Sequence, residues 1–490
     1  MSEVKVNKIS PRSGTGVTLG DSGDKFTVPS GSNITINSGA SIVNDGTATG
    51  FDTDTNDKVK VSTNDTTPGF LNGKLVAGTN ITLTEGSDGG NETLTAALSG
   101  TIPTARLGSG TASSSTFLRG DQTYASATPA AGSITTAQLA YNPNAFRNII
   151  INGDMNVSQR ATSRSSITAD GYYTVDRFLT EMAAFGAWTQ SQYADAPSGQ
   201  GLNNSLKMDC TTAQGSLASN TVALLGQSVE GRNLQAINQG TSSAKSTTLS
   251  FWHKHTKTGT NIVELLDADN GNAVSGAYTQ SNSNTWEKAT IVYPANTSGT
   301  YGNDSNRSLR IRFIMGAGSD TTSGTLATTW QTSITNANRY VGQVNNADST
   351  SNNFIITGVQ YEVATVASEF ELLPFDINLQ RCHRYYYLIA SGSGVNINFI
   401  IYNTATNTAS RVQLSTIMRA NPSLDITTGT GYYRAYRGGN SDDISAFTLD
   451  SSRTNYIYFY DSSTSSGTIG YGGILNTNNS SSYIAASAEL

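Results

Sequence analysis

The sequence predicts an all-β protein, laid out as a thin N-terminal β shaft, a jelly-roll β-sandwich and a C-terminal β domain. Three observations carry this reading. Charged residues make up 13% of the 490, about half the roughly 25% of an average soluble chain. Gly is abundant at 48 and Pro sparse at 10, with 22 Tyr. Thr, Val, Ile and Tyr favour strands and recur in short runs, while Gly, Asn and Asp supply turns between them. Helix formers rarely gather at helical spacing. The aromatic content and low charge also set the chain apart from disordered sequences, which are charged, Pro-rich and poor in aromatics.

Residues 1–50 read as short strands punctuated by glycine: Val17-Thr18-Leu19, Phe26-Thr27-Val28, Ile34-Thr35-Ile36 and Ile42-Val43. Strands this short cannot bury a core within one chain. Either a β-solenoid or the winding together of several copies solves that problem. So few turns make a short solenoid, so association of copies is the better expectation. Residues 51–140 form a second thin segment. Val59–Val61, Leu75–Gly78, Ile81–Thr84 and Thr93–Thr95 are strand candidates, and Thr66-Thr67-Pro68-Gly69 is a turn in which Pro presets φ and Gly accepts a positive one. Phe117-Leu118 and Tyr124 flank a further turn, and residues 125–140 read as a linker.

At about residue 145 the character changes. Residues 145–370 hold all four tryptophans and longer strand candidates at Asn148–Ile151, Thr247–His255, Ala289–Tyr293, Ser308–Met315 and Asn353–Tyr361. Each alternates or is continuously apolar, as strands with one or two buried faces do, which predicts a two-sheet jelly roll. Residues 371–490 add strand candidates at His383–Ile389, Val395–Tyr402, Tyr456–Tyr460 and Tyr483–Ala486, with one or two helical turns over Asp376–Arg384.

The net charge of −6 argues against nucleic acid as a partner, because phosphate binding needs a basic patch. Cys210 and Cys382 are the only cysteines and read as two buried thiols rather than a disulfide framework. The N-terminal run lacks the apolar core of a signal peptide, and no apolar stretch is long enough to span a membrane. The expectation is synthesis in a cytoplasm without export or membrane insertion, followed by release on cell lysis.

Several passages, taken in order, resemble bacteriophage tail fibres. MSEVKVNKISPRSGTGVTLGDSGDKFTVPSG is similar to the virion-attachment end of marine-phage fibres. KVSTNDTTPGFLNGKLVAGTNITLTEGSDGGNETLTAAL and LGSGTASSSTFLRGDQTYAS are similar to shaft and collar-like modules. AFRNIIINGDMNVSQR, ADGYYTVDRF, TTLSFWHKH, NTWEKATIVYP and FIITGVQYEVATVASEFE resemble strands of a jelly-roll head of carbohydrate-binding shape. RCHRYYYLI resembles the start of a terminal segment. The resemblance implies a homotrimeric structural protein of the virion. It would dock on phage tail proteins through its N-terminus and adsorb to a host-surface glycan or protein receptor through its distal parts, without enzymatic activity or cofactor. The alternatives are a tailspike-like glycan depolymerase and a capsid or baseplate decoration fibre.

The candidate receptor site is Tyr432, Tyr433, Arg434, Tyr436 and Arg437. Tyrosine faces stack on the C–H faces of sugars while guanidiniums donate to hydroxyls or carboxylates. The plainer reading is an ordinary strand with Tyr433 inward and the arginines solvated. Val4, Lys5, Val6, Lys8 and Ile9 form the candidate docking strand at the virion, a short apolar edge able to extend a partner sheet. Three other patterns favour plain readings. His253 and His255 would share a strand face and could meet a metal, but read as a strand running from Phe251-Trp252 out to solvent. Arg119-Gly120-Asp121 reads as a turn. The carboxylate pairs Asp52/Asp54, Asp267/Asp269 and Asp442/Asp443 read as turn residues rather than a glycosidase pair. No catalytic or metal-ligating set is assigned.

Overall fold

A computed structural model describes residues 25, 27–40, 59, 61–67, 69–87, 90–99, 107–111, 113, 116–126, 146–461 and 465–490. The strand candidates at 17–19 and 42–43, the docking residues Val4, Lys5, Val6, Lys8 and Ile9, and Asp52/Asp54 lie outside the described residues. The chain divides into two compact units, Met1–Ala127 and Thr128–Leu490. Among the described residues no helix is long and apolar enough to cross a membrane.

The first unit is made of small hairpins. Ile81–Gly86 pairs antiparallel with Thr93–Leu98, Ile81 facing Leu98, and Thr116–Leu118 pairs with Tyr124–Ser126. A single helical turn, Leu71–Lys74, precedes them, and Val59 bridges to Gly69. Leu75–Gly78 and Ile34–Ile36, expected as strands, pair with no described strand. Without a ladder to join, Val76 stays 93% exposed. None of the unit's described residues is buried. The Arg119–Asp121 turn closes the second hairpin, with Gln122 N–H donating to Arg119 O at 2.9 Å. The Asp121 carboxylate accepts from the Thr123 hydroxyl and backbone N–H, which holds it below its usual range.

The second unit opens with a two-sheet sandwich. One six-stranded sheet runs in the order Asn272–Gln280, Gly259–Asp267, Arg307–Ala317, Val222–Glu230, Leu179–Glu181, Gly171–Tyr172. The other runs Glu287–Tyr293, Thr247–His253, Asn353–Glu362, Ser205–Thr212, Ala187–Tyr193, Ser163–Ile167. Position within a sheet explains the sequence pattern. The edge strand Glu287–Tyr293 alternates, with Ala289, Ile291 and Tyr293 inward, because one face meets water. The inner strand Asn353–Glu362 is buried along nearly its whole length. Between the sheets Phe251 meets Tyr278 and Phe313 edge to face, with centroids 4.9 and 5.0 Å apart, a favoured aromatic geometry.

Asn148–Ile151, expected as a strand, is irregular. Apart from the Ile149 N–H, which donates to the Tyr361 carbonyl at 2.9 Å, it joins no ladder, and side chains meet several of its other polar groups. The Ile151 N–H donates to Gln227 Oε1 and the Ile151 carbonyl accepts from Gln227 Nε2, both at 2.8 Å. Nearby, the Gly153 carbonyl accepts from Val359 N–H, and a Cβ at Gly153 would lie 2.1 Å from the Val359 carbonyl oxygen.

The helix Phe375–His383 leads into two further sheets. Tyr386–Ser391, Tyr483–Ser487 and Ser423–Ile426 form a three-stranded sheet. A seven-stranded sheet runs Asn440–Ile444, Tyr433–Arg437, Gly472–Thr477, Asn396–Thr404, Asn407–Gln413, Tyr456–Asp461, Thr448–Arg453. Ile484 and Ala486 of the smaller sheet share a core with Tyr433, Ile457, Phe459 and Leu475 of the larger. A further small core joins the sandwich to this region, with Ile151 and Val157 packed among Cys382, Tyr385 and Leu490. Beside it the fully buried Glu230 binds Arg384 and Tyr385. Cys210 and Cys382 are both buried free thiols.

Candidate functional site

Strand alternation decides which of the candidate receptor residues meets solvent. In Tyr433–Arg437, Tyr433 and Ala435 point inward and are fully buried, while Tyr436 is 43% exposed. Tyr433 is therefore a core residue, which corrects its assignment to a sugar-contacting surface. Its ring packs against Phe447 with centroids 5.0 Å apart, and its hydroxyl donates to the carbonyls of Thr427 (2.8 Å) and Tyr483 (2.6 Å). Burial pushes that phenol up to about 12. Tyr432 sits in the preceding turn, half-buried, its N–H bonded to the Gly429 carbonyl.

The arginines are anchored rather than simply solvated. Arg434 pairs with Asp443 at 2.6 Å, a contact that holds the Asp443 carboxyl below its usual range. Arg437 pairs with Asp442 at 3.1 Å and donates to the Tyr402 hydroxyl, which itself donates to Asp442 at 2.6 Å. Burial, with the Asp442 carboxylate beside it, pushes the Tyr402 phenol up to about 12.

Tyr436 belongs to a larger surface. It stands opposite Ile474, and Ile474 stands opposite Phe399 on the next strand. Ile474 and Phe399 are 42% and 75% exposed. The row Tyr436–Ile474–Phe399 thus crosses three strands on the outer face of the sheet. Ile401, two residues beyond Phe399 on the same face, is exposed as well. Farther across, Arg411 stands opposite Tyr458, and its guanidinium carbon lies 4.1 Å from the centroid of the Tyr456 ring. The face thus sets exposed aromatic and aliphatic side chains on the same sheet as the Arg411 guanidinium. It can stack against ring faces and donate hydrogen bonds. Phe399, Ile401 and Ile474 escaped the sequence reading. The signal for the first two was the segment Val395–Tyr402, which has apolar residues at both parities and so must expose some of them, whereas Ile474 stands in a separate strand, Gly472–Thr477.

The two histidines take another course. His253 and His255 are both buried instead of leading out to solvent. His253 Nδ1 lies 2.8 Å from Gln280 Oε1. His255 accepts at Nδ1 from Ile355 N–H (3.2 Å), and its Nε2 lies 2.8 Å from the Tyr278 hydroxyl. Both ring nitrogens of His255 are thus committed, and burial lowers the pKa of both imidazoles. Asp267 is buried too, accepting hydrogen bonds from Gln239 and from Asn270.

No protein-family model and no curated protein sequence matches the chain. Among solved structures, it is similar to the enzymatically active domain of bacteriophage CBA120 tailspike protein 4. The identity is 15% over 44% of this chain, with a TM-score of 0.23, and the chain spans 22% of that protein's length. It is also similar to a sugar-binding protein of Bacteroides thetaiotaomicron, at 14% identity over 44% of this chain and all of that one, with a TM-score of 0.23. A third likeness is to TmCBM61, solved with β-1,4-galactotriose, at 12% identity over 44% of this chain and 99% of that one, with a TM-score of 0.21. At these scores the likenesses carry no argument about this chain, whose reading rests on its own geometry.

Proposed function

We propose that the chain is one subunit of a homotrimeric β fibre of the bacteriophage tail-fibre kind, joined to the virion's tail proteins by its N-terminus. The outer face of its seven-stranded sheet meets glycans on the host surface. The observation that carries this reading is the missing core of the first unit. Its described residues fold into hairpins yet bury nothing, while Val76 and Leu98 stand 93% and 73% exposed. A groove of about 530 Å³ opens beside the Ile81–Leu98 hairpin, lined by Val59, Phe70, Leu71 and Leu94 together with Asn72, Glu85, Glu92 and Thr93. An isolated two-stranded hairpin is marginal in water, and each Val or Leu fully buried stabilises by about 1.5–3 kcal/mol. Sister copies winding together supply that burial. Repetition of the aromatic sheet face on each copy then turns weak sugar contacts into avidity.

The depolymerase alternative asks for two carboxylates free to act on a glycosidic bond. Asp267 is held by amide donors in a buried loop, and Asp442 and Asp443 are paired with Arg437 and Arg434. These engagements favour a binding protein without catalysis.

The test uses the double variant Val76→Asp, Leu98→Asp in the full chain. In a monomer both positions face water, and surface substitutions of that kind shift stability by less than about 0.5 kcal/mol. In an intertwined fibre they bury two charges per copy. Loss of the assembled species on light scattering supports the proposal. A variant with the mass and melting temperature of the parent chain refutes it.

A further inference from the structure

A pocket of about 310 Å³ opens beside the helix Phe375–His383, lined among others by Phe146, Ile149, Ile151, Asn233, Arg381 and Arg384. Its two arginines differ. Arg384 is answered by the Glu230 carboxylate, which takes both its Nε and its Nη2. Arg381 is half-buried and has no ion pair among the described residues. Its Nη2 donates to the Asn148 carbonyl at 3.1 Å, while its Nε and Nη1 have no partner among the described residues and are not sealed from solvent. Burial presses its pKa below the ordinary value, and the acidic groups around it, Cys382, Glu371, Tyr385 and Asp154, do not offset this. The pocket thus holds a cation in want of a counter-charge, with donors still open. Apolar surface lies close by. The four most exposed large hydrophobics described between residues 146 and 380 are Phe146, Val366, Leu372 and Phe375. They belong to two stretches tied to each other, since the Phe146 and Asn148 N–H groups donate to the Glu371 carboxylate and Arg147 Nε donates to the Ser368 hydroxyl at 2.8 Å. Large apolar side chains gathered on one surface mark a contact with another molecule.

We propose that a sister copy of this chain covers that surface, its Phe375 and Asp376 seated in the Arg381 pocket of its neighbour. Asp376 is exposed, follows an exposed aromatic ring, and pairs with no cation among the described residues. It stands in the first turn of the helix and Arg381 in the last. Five residues apart on one helix, they point roughly 140° from each other around its axis. Helix neighbours pair at spacings of three and four, so this charge and its counter-charge meet between copies and not within one. The residues that lead into Phe146, 128–145, contain no Asp or Glu and bring Arg381 no carboxylate. Phe375 would enter against Phe146, Ile149 and Ile151, and Asp376 would accept from the open Arg381 donors, a charge-assisted bond. A knob on one surface and a socket on another make a head-to-tail contact, which a three-fold rotation closes into a ring. The inference rests on the trimeric reading and adds to it a subunit contact made by the second unit.

The experiment replaces Phe375, an exposed ring, with the photo-cross-linker p-benzoylphenylalanine in the full-length chain. Chains of ordinary and heavy nitrogen are assembled together, irradiated, digested and read by mass spectrometry, which separates cross-links between copies from those within one. Sedimentation equilibrium is run on the same sample. Cross-links between copies, from position 375 to the peptides that carry residues 146–151, 233 or 381–385, are expected. Adding Asp376→Lys should cut their yield about tenfold, the factor for turning one attractive charge pair into a repulsive one. Cross-links only within a copy, cross-links to residues 128–145 or to another surface, or indifference to Asp376→Lys overturns the inference. If the sample has three times the chain mass but position 375 reaches no sister copy, the pocket contact falls and the fibre reading stands. A single-chain mass sinks both.

Discussion

Removing the Glu489 carboxylate should destabilise the second unit by about 3–5 kcal/mol, the range for stripping one partner from a buried ion pair. Glu489 lies against two guanidiniums. It accepts from Arg177 and, at 3.2 Å, from Arg160. The side chains of Arg177 and Glu489 are only 1% and 9% exposed. Burial opposes the Arg177 charge, and Glu489, with Tyr385 beside it, overcomes that and holds the guanidinium above its usual range. Arg177 Nη2 donates to the Ser228 carbonyl at 2.8 Å, but its Nε has no partner. In Glu489→Ala a buried cation keeps one hydrogen bond and no counter-charge. At about 2 °C per kcal/mol for a domain of this size class, the melting temperature should fall by about 6–10 °C in differential scanning calorimetry. Glu489→Gln, which retains an acceptor, should fall by less. An alanine variant melting within 2 °C of the parent would show that water or a rearranged neighbour replaces the carboxylate, and that Glu489 is not the counter-charge on which buried Arg177 depends.

Two further outcomes follow from buried polar groups. Tyr433→Phe should lower stability by about 1–3 kcal/mol, the penalty for unsatisfied buried partners, because it strips the donor from the Thr427 and Tyr483 carbonyls. Tyr436→Ala should change stability by less than about 0.5 kcal/mol while weakening glycan binding, and equal effects of the two on thermal unfolding would reverse the assigned faces. The pH dependence has a definite sign. His253 and His255 have folded pKa values below the ordinary 6.5, so the unfolded chain binds more protons and stability falls as pH drops below about 6.5. His383, lowered by burial too, adds to this, whereas Asp176, which burial pushes up to about 6, and Asp154 and Asp267, which burial also raises, work the other way as pH falls further. The urea midpoint should therefore fall between pH 7 and about 6, above the range where the raised carboxylates take up protons, and a rising midpoint there would contradict the burial of the histidine pair.

The all-β architecture was legible because edge strands carry period-two alternation that no tertiary knowledge is needed to see, as in Ala289, Ile291 and Tyr293. The inner strand Asn353–Glu362 was legible from its near-continuous apolar run. Asn148–Ile151 looked the same but is not a strand, because the amide of Gln227, distant in sequence, takes the place of a neighbouring backbone. Among the receptor candidates Tyr433 is misplaced, and the miss is one of parity. Tyr433 and Tyr436 stand at opposite parities of one strand, and only the three-stranded sheet packed on its inner side decides that Tyr433 goes in. The pocket at Arg381 was beyond sequence reading altogether, since its lining comes from segments near residues 146, 233 and 381 that share no local pattern.

Sedimentation equilibrium of the unmodified full-length chain tests most directly whether the first unit borrows its interior from sister copies. Three times the chain mass, persisting at micromolar dilution with the Ile81–Leu98 amides protected from hydrogen exchange, is the expected result. A folded species of single-chain mass, with those amides equally protected, would mean that the first unit stands alone and that the fibre reading is wrong.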